Sequence, residues 1–262
     1  MDLPAQASEY LINAQLPDGS WGSGDPFICS RSLLALRGYM PEDTMVKGLG
    51  YLESMQERDG HFRQKTRMYS DASNTAYTMV VLNCFDYGKA SMPISRGILW
   101  LLENQNEDGS WGTNAQKKAF TTTFCLRALH SFYLSGIQRF AKGLGFALDY
   151  MSDLAFEEEP VSHVYAPILN LKRIGYLDDE LREKFIDFAW IAARDSIAGG
   201  HAADAASLLG ALKAIEEPDI SSVIEEWLPA VQNDDGGFGR EAGAQSDQAA
   251  TALALLAMSD RL

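Results

Sequence analysis

Two aspartates stand in the same sequence frame, Asp-x-x-x-Thr-Ala, each ahead of an apolar segment. Asp71 begins the run Asp-Ala-Ser-Asn-Thr-Ala, and Asp247 begins Asp-Gln-Ala-Ala-Thr-Ala. A carboxyl group at such a place can act as a general acid, or it can cap a helix by accepting hydrogen bonds from free backbone amides. The shared frame favours the cap, and Asp71 and Asp247 are also the catalytic candidates of this chain.

Histidine, cysteine and phosphate-binding patterns offer little further chemistry. His201 and Asp204 have helical i, i+3 spacing, but no third metal ligand accompanies them. His163 has no serine or cysteine nucleophile phrase near it, so a general-base role is less favoured than a cavity or core position. No phosphate-binding glycine loop or Asp-rich magnesium motif is present. The sequence predicts neither a metal nor a cofactor.

Composition excludes several classes of partner. The net charge of −14 over 262 residues disfavours nucleic acid or an anionic membrane surface as a partner. No apolar stretch approaches the length of a membrane-spanning helix, and the first residues do not resemble a signal peptide. We therefore expect a cytoplasmic protein without a transmembrane segment.

A repeated phrase organises the chain. Four copies share an aromatic residue, Gln five positions later, Asp-Gly after two more residues, and a closing aromatic. Their Gln and closing aromatic residues are Gln15 and Trp21, Gln56 and Phe62, Gln105 and Trp111, and Gln232 and Phe238. Two decayed copies fill the long gap between the third and the fourth. The repeats start near residues 10, 51, 100, 146, 190 and 227.

Each repeat is long enough for two helices and their connections. The first helix is predicted to end at the Asp-Gly turn, where glycine can adopt the left-handed conformation. The second helix is apolar almost all round, as in residues 75–82, 121–129 and 251–258, which indicates burial on both sides. The predicted fold is all-α, an α/α toroid of six hairpins with an inner and an outer ring, forming a single domain over residues 1–262.

The phrase Gln-x-x-Asp-Gly-x-Trp/Phe resembles the QW repeat of squalene and oxidosqualene cyclases, which are related to protein prenyltransferase β subunits. The resemblance covers essentially the whole chain. It implies that the Gln and aromatic residues tie one hairpin to the next. It also implies a site at the mouth of the ring where the inner helices begin. The candidate substrate-cavity residues there are Arg31, Ser73, Asn74, Thr122, His163 and Asp204.

The catalytic motifs of these families are incomplete in this chain. The run from Asp71 to Ala76 resembles the Asp-x-Asp-Asp-Thr-Ala signature of class II terpenoid cyclases, but the position of the proton donor is Ser73, whose hydroxyl is far too weak an acid. The next carboxylate is replaced by Asn74. Similarly, Asp247 matches the Asp of the prenyltransferase zinc pair, but the Cys position is Ala249.

Two functions remain open at this stage, and the sequence leaves undecided whether a reaction occurs. One is a terpenoid-cyclase-like protein that binds an apolar, isoprenoid or polyketide-like substrate and rearranges it with a non-standard acid. The other is a noncatalytic lipid-binding or protein-interaction module. A cavity shared with a second toroid would require a homodimer or another partner. A carbohydrate-active enzyme would need two carboxylates about 5 to 9.5 Å apart among Asp71, Asp204 and Asp247, and the repeat phrase argues against it.

Overall fold

Helices account for all the regular structure in the described part of the chain, residues 2–66, 69–113 and 117–259 of a computed structural model. The first helix of each hairpin lies on the outside of a ring. These outer helices are α1 (Leu3–Asn13), α3 (Glu42–Ser54), α5 (Met92–Glu103), α7 (Gln138–Asp153), α9 (Asp179–Gly199) and α11 (Pro218–Trp227). The second helices form the inner ring: α2 (Pro26–Leu36), α4 (Asp71–Cys84), α6 (Lys118–Ser131), α8 (Val161–Arg173), α10 (Ala202–Ala214) and α12 (Gln248–Met258).

The inner helices close on themselves. Each packs against the next inner helix along the chain, and α12 packs against α2. The outer helix α1 also packs on α12, so the last hairpin contacts the first. Most inner-helix residues are buried, including every residue of α2, because the inner helices have neighbours on all sides. The structure confirms the predicted all-α toroid.

The glutamines of the repeat phrase connect neighbouring hairpins. The Nε2 atom of Gln56 donates to the carbonyl oxygen of Gly60 in its own turn and to that of Pro93 in the next outer helix, both at 2.8 Å. The other three glutamines make the same pair of bonds, from Gln15 to Gly19 and Thr44, from Gln105 to Gly109 and Arg139, and from Gln232 to Gly236 and Leu3. Each glutamine thus joins a carbonyl group of its own turn to a first-turn carbonyl group of the next outer helix.

The closing aromatic residues are fully buried under the same turns. Their backbone amides find an acceptor on the following inner helix. The amides of Phe62, Trp111 and Phe238 donate to the hydroxyl groups of Thr75, Thr122 and Thr251 at 2.9 to 3.0 Å. The threonine of the Asp-x-x-x-Thr-Ala frame therefore anchors the closing aromatic, because a buried amide needs a partner.

The two decayed repeats are connected differently. In the fourth hairpin, Lys184 reaches back from α9 and donates to the carbonyl oxygens of Met151 and Ser152, at 3.3 and 2.7 Å. In the fifth, Asp195 takes the glutamine position, is exposed, and pairs with its neighbour Arg194 on the same helix. Without the Asp-Gly turn, α9 continues to Gly199 and ends at Gly200, whose φ of 72° is the left-handed cap.

Candidate functional site

A cavity of about 390 Å³ opens at the end of the ring where the inner helices begin, and we call it the central cavity. Five of the six inner helices contribute to its wall, α2, α6, α8, α10 and α12. The side chains that matter for its chemistry are Arg31, Tyr69, Lys117, Phe120, His163, Tyr165, His201, Asp204, Ser207, Arg240, Glu241 and Asp247. Mixed charged and aromatic lining of this kind is typical of a small-molecule site.

Three residues of the cavity wall, Arg31, Tyr165 and Leu253, also line a space of only about 20 Å³ deeper in the ring. We call these three the floor of the central cavity. Beside the floor, aromatic rings fill the ring interior. Phe27 stacks on Tyr69 and Tyr77 with centroids 4.0 and 4.4 Å apart and meets Phe124 edge-on at 5.2 Å. This packing limits the depth to which a ligand can enter.

A second cavity, of about 450 Å³, lies between α4, α5 and α6, and we call it the side cavity. Its lining includes Asp71 and Ser73. Tyr69, Lys117 and Phe120 line both cavities and stand between them. The structure therefore divides the predicted site. Arg31, His163, Asp204 and Asp247 share the central cavity, whereas Asp71 and Ser73 belong to the side cavity.

The start of α4 differs from the predicted cap at Asp71. Ser70 is the N-cap, and its hydroxyl accepts a hydrogen bond from the amide of Ser73 at 3.1 Å. The hydroxyl of Ser73 in turn accepts from the amide of Ser70 at 2.9 Å, which completes a capping box. Asp71 is the first helical residue, and its Oδ1 accepts from the amide of Gln64 at 2.7 Å. The capping prediction was wrong for Asp71 because the preceding serine takes that role.

Asn74 and Thr122 are not cavity residues, contrary to the sequence-based expectation. Both are fully buried and line none of the three spaces described above. The Thr122 hydroxyl is engaged by the amide of Trp111. Both polar side-chain atoms of Asn74 are buried, and no hydrogen-bond partner for them is found among the described residues.

Asp247 combines a structural role with a place on the cavity wall. It is the N-cap of α12, and its Oδ1 accepts from the amide of Ala250 at 2.9 Å. Its Oδ2 lies 3.6 Å from Nε of Arg240. Both oxygens of the Asp247 carboxyl group are therefore engaged by other groups of this chain.

Asp204 has the opposite environment. It lies in the first turn of α10, and no hydrogen bond or ion pair to its carboxyl group is found among the described residues. Burial raises the pKa of Asp204 above its ordinary value of 3.8, and the nearby charge of His201 lowers it by less. Asp204 is thus the carboxyl group of the central cavity that most readily retains a proton.

His163 faces the same cavity from α8. Its Nδ1 lies 2.9 Å from Oε2 of Glu159, one turn earlier in the chain. A carboxylate can only accept, so this contact places a proton on Nδ1, and in the neutral imidazole Nε2 is then the acceptor. The sequence analysis identified His163 but not Glu159, which lies in the connection before α8.

Several other features of the site bear on cofactors and membranes. No group of three histidine, cysteine or acidic side chains that could hold a metal is found in the part of the chain that the structure describes. Ala249 lies on the cavity wall where a zinc ligand would be required. None of the described helices combines the length and the apolar character needed to cross a bilayer.

Two protein families match this sequence. The family described as squalene-hopene cyclase C-terminal domain matches residues 2–135. The prenyltransferase alpha-alpha toroid domain matches residues 170–260.

Curated relatives match over part of the chain. A squalene–hopene cyclase from Zymomonas mobilis is 31% identical over 124 residues, which are 40% of this chain and 18% of the relative. A drimenyl diphosphate synthase from Streptomyces showdoensis is 26% identical over 118 residues, 40% of this chain and 22% of the relative. Lanosterol synthase from Saccharomyces cerevisiae is 30% identical over 123 residues, 40% of this chain and 17% of the relative. The matched segments thus span only about a fifth of these relatives.

Solved structures match over nearly the whole chain. A protein from Actinoplanes has a TM-score of 0.69 at 13% identity and covers 99% of this chain and 98% of its own. A variant of the type II terpene cyclase MstE from Scytonema, in complex with the product merosterolic acid A, has a TM-score of 0.67 at 11% identity and covers 98% and 95%. At such low identity these matches establish the fold alone.

Proposed function

The chain belongs to the squalene-hopene cyclase C-terminal domain family, and on that basis we propose that it binds a small isoprenoid-like molecule in the central cavity and starts its cyclisation with Asp204 as the acid. The observation that carries this proposal is the Asp204 carboxyl group itself. It faces the cavity, has no hydrogen-bond partner among the described residues, and has a pKa raised by burial.

Burial raises the pKa of Asp204, which is the direction that an alkene-protonating acid needs. Such an acid must keep its proton near neutral pH and must lose it to carbon in an environment that solvates the carboxylate poorly. The Asp247 carboxyl group is instead occupied by the amide of Ala250 and by Arg240. Tyr165 and Phe120 line the same cavity and offer aromatic faces to a developing cation.

The proposed reaction is a redox-neutral isomerisation. The Asp204 proton adds to one carbon of an alkene, the π bond breaks, and a cation forms on the other carbon. The next alkene of the chain attacks that cation and closes a ring. Loss of a proton from the carbon next to the final cation restores an alkene, and Asp204 regains a proton from solvent at the mouth.

His163 is the proposed base for the last step. In the neutral ring, the contact between Nδ1 and Glu159 leaves Nε2 as the acceptor. It lines the same cavity as Asp204 from a different helix. The acid and the base thus come from α10 and α8, and the substrate lies against both of them.

The cavity volume favours a short substrate. At about 390 Å³ it stands near the lower end of the range of about 300–1,000 Å³ usual for small-molecule pockets. The aromatic packing around Phe27 occupies the depth that a longer chain would need.

The competing proposal is a noncatalytic lipid-binding module. The specific observation in its favour is Ser73, which stands where relatives carry the acid and whose hydroxyl is used in the capping box. The two proposals share a ligand and differ in turnover. Binding without conversion would favour the module.

Turnover in heavy water separates them. The purified chain is incubated with farnesol, methyl farnesoate or farnesoic acid in D₂O, and the products are analysed by gas chromatography and mass spectrometry. Protonation-initiated cyclisation gives a product with one added deuterium. Unchanged starting material that is nevertheless bound would overturn the catalytic proposal.

A further inference from the structure

Arg31 is a buried cation without an acidic partner. Its side chain is only 5% exposed, although it forms part of the cavity floor. The guanidinium carbon lies 5.0 Å from the centroid of the Phe27 ring, and the other groups that interact with it are the hydroxyls of Tyr69, Tyr77 and Tyr165. No ion pair between Arg31 and a carboxylate is present among the described residues.

A second arginine lies behind the first. Arg31 and Arg127 line the same narrow space of about 20 Å³. Arg127 Nη1 donates to Oδ1 of Asn170 at 3.2 Å, which is a neutral partner. Burial lowers the pKa of Arg127, because the interior disfavours the charged guanidinium. The middle of the ring is therefore positive in a protein whose net charge is −14.

Burial disfavours the charged form of Arg31, although the surrounding tyrosines hold the pKa of its guanidinium above the ordinary value. Removing a cation from water has a desolvation cost even after structural relaxation, and a cation–π contact offsets only part of that cost. An anionic group on the cavity side of Arg31 would supply the missing compensation.

Resting on the proposed function, we infer that the substrate carries a carboxylate and that Arg31 binds this group at the cavity floor. A guanidinium presents paired N–H donors that match the two oxygens of a carboxylate. Burial raises the pKa of Tyr165, so its hydroxyl remains a neutral donor beside the same group. The apolar chain then extends toward the mouth, where Asp204 lies.

The surrounding charges favour a singly charged group over a diphosphate. Two guanidinium groups line the cavity, but that of Arg240 lies 3.6 Å from Oδ2 of Asp247, so Arg31 is the one at the floor. Lys117 lines the cavity where it meets the side cavity, and three acidic side chains, Asp204, Glu241 and Asp247, line the same space. A diphosphate would require several cations or a metal. A carboxylate is neutralised by Arg31 alone.

The proposed reaction gives an independent reason for a carboxylate. Protonation of an alkene places a positive charge in a cavity whose floor is already positive. An unpaired guanidinium would raise the energy of that cation. A carboxylate bound to Arg31 removes the repulsion, so substrate binding prepares the cavity for the charge that follows.

The test compares ligands that differ only in the headgroup. Binding of farnesoic acid, methyl farnesoate and farnesyl diphosphate is measured by isothermal calorimetry on the wild type and on Arg31→Gln and Arg31→Lys. In the wild type, the acid binds at least about 10-fold more tightly than the ester, because hydrogen bonds to charged groups are the strong ones. Arg31→Gln abolishes this preference, and Arg31→Lys retains part of it.

A matched control is Arg139→Gln, which removes an exposed arginine on α7 and leaves the preference unchanged. Circular dichroism establishes that each variant is folded. Equal binding of acid and ester by the wild type overturns the carboxylate inference while the proposed function stands, and tighter binding of the diphosphate does the same. Binding of none of the three ligands by the wild type overturns both.

Discussion

Nε2 of Gln232 lies 3.3 Å from the carbonyl oxygen of Leu3, a residue 229 positions earlier in the chain. The same atom donates to Gly236 at 2.8 Å. This pair of bonds repeats, at the junction between the last hairpin and the first, the geometry of Gln15, Gln56 and Gln105 at internal junctions. The ring is therefore closed by the same device that joins its consecutive members.

Gln232→Ala is expected to lower the free energy of unfolding by about 1–3 kcal/mol, since two carbonyl groups lose their donor. Gln15→Ala should cost a similar amount, because it removes the equivalent pair of bonds. Urea denaturation followed by circular dichroism gives both values. Glu226→Ala, an exposed position on α11, serves as control with a change within about 0.5 kcal/mol. A cost at Gln15 with none at Gln232 would mean that the ring is open in solution.

Asp204→Asn is expected to reduce turnover by about 100-fold or more, the usual contribution of a general acid. The amide has nearly the same shape, so ligand affinity should change little. Initial rates of product formation and calorimetric binding constants measure the two effects separately. Asp71→Asn is the matched control, because Asp71 lies in the side cavity. Loss of activity in that control with full activity in Asp204→Asn would reverse the assignment.

The pH dependence follows from the raised pKa of Asp204. The protonated acid is the active form, so turnover is expected to fall as pH rises through the folded-state pKa. Stability is also expected to fall as pH rises. The free energy of unfolding falls as pH rises from the ordinary pKa of 3.8 through the raised pKa, because the unfolded state ionises Asp204 more readily than the folded state does. Thermal melts of wild type and Asp204→Asn over this range should show a wild-type loss that the variant lacks.

Thr122→Val should destabilise the fold without affecting the ligand. The buried amide of Trp111 loses its acceptor, which costs about 1–3 kcal/mol. Thr122→Ser retains the hydroxyl and should recover part of the loss. Denaturation curves and ligand titrations on both variants make the comparison. A change in ligand affinity at unchanged stability would return Thr122 to the cavity.

The architecture was predictable because short, repeated sequence patterns determine it. The Asp-Gly turns and the glutamines recur at fixed spacing, and each makes its contacts within one hairpin or with the next one. The family matches confirm the predicted family and the predicted toroid. The length of α9 was harder to foresee, because its turn phrase has decayed and the helix runs on to Gly199.

The site was only partly predictable. Position along an inner helix predicted that Arg31, His163, Asp204 and Asp247 gather at one mouth of the ring, and all four line the central cavity. It could not show that Tyr69 and Phe120 would separate Asp71 from them, since Tyr69 lies in a connection with no repeat pattern. Nor could sequence distinguish the pKa of Asp204 from that of other carboxyl groups, because burial depends on helices distant in the chain.

The glutamine hydrogen bonds are present at some junctions between hairpins and missing at others, and this difference should affect how often each junction opens. Where a glutamine bonds two carbonyl groups, backbone amides should exchange with deuterated solvent slowly and at similar rates. The exposed Asp195 offers no such bonds, so transient opening should concentrate between α9 and α11. Because α10 lies behind this junction, Asp204 would be the first group of the cavity to meet incoming solvent.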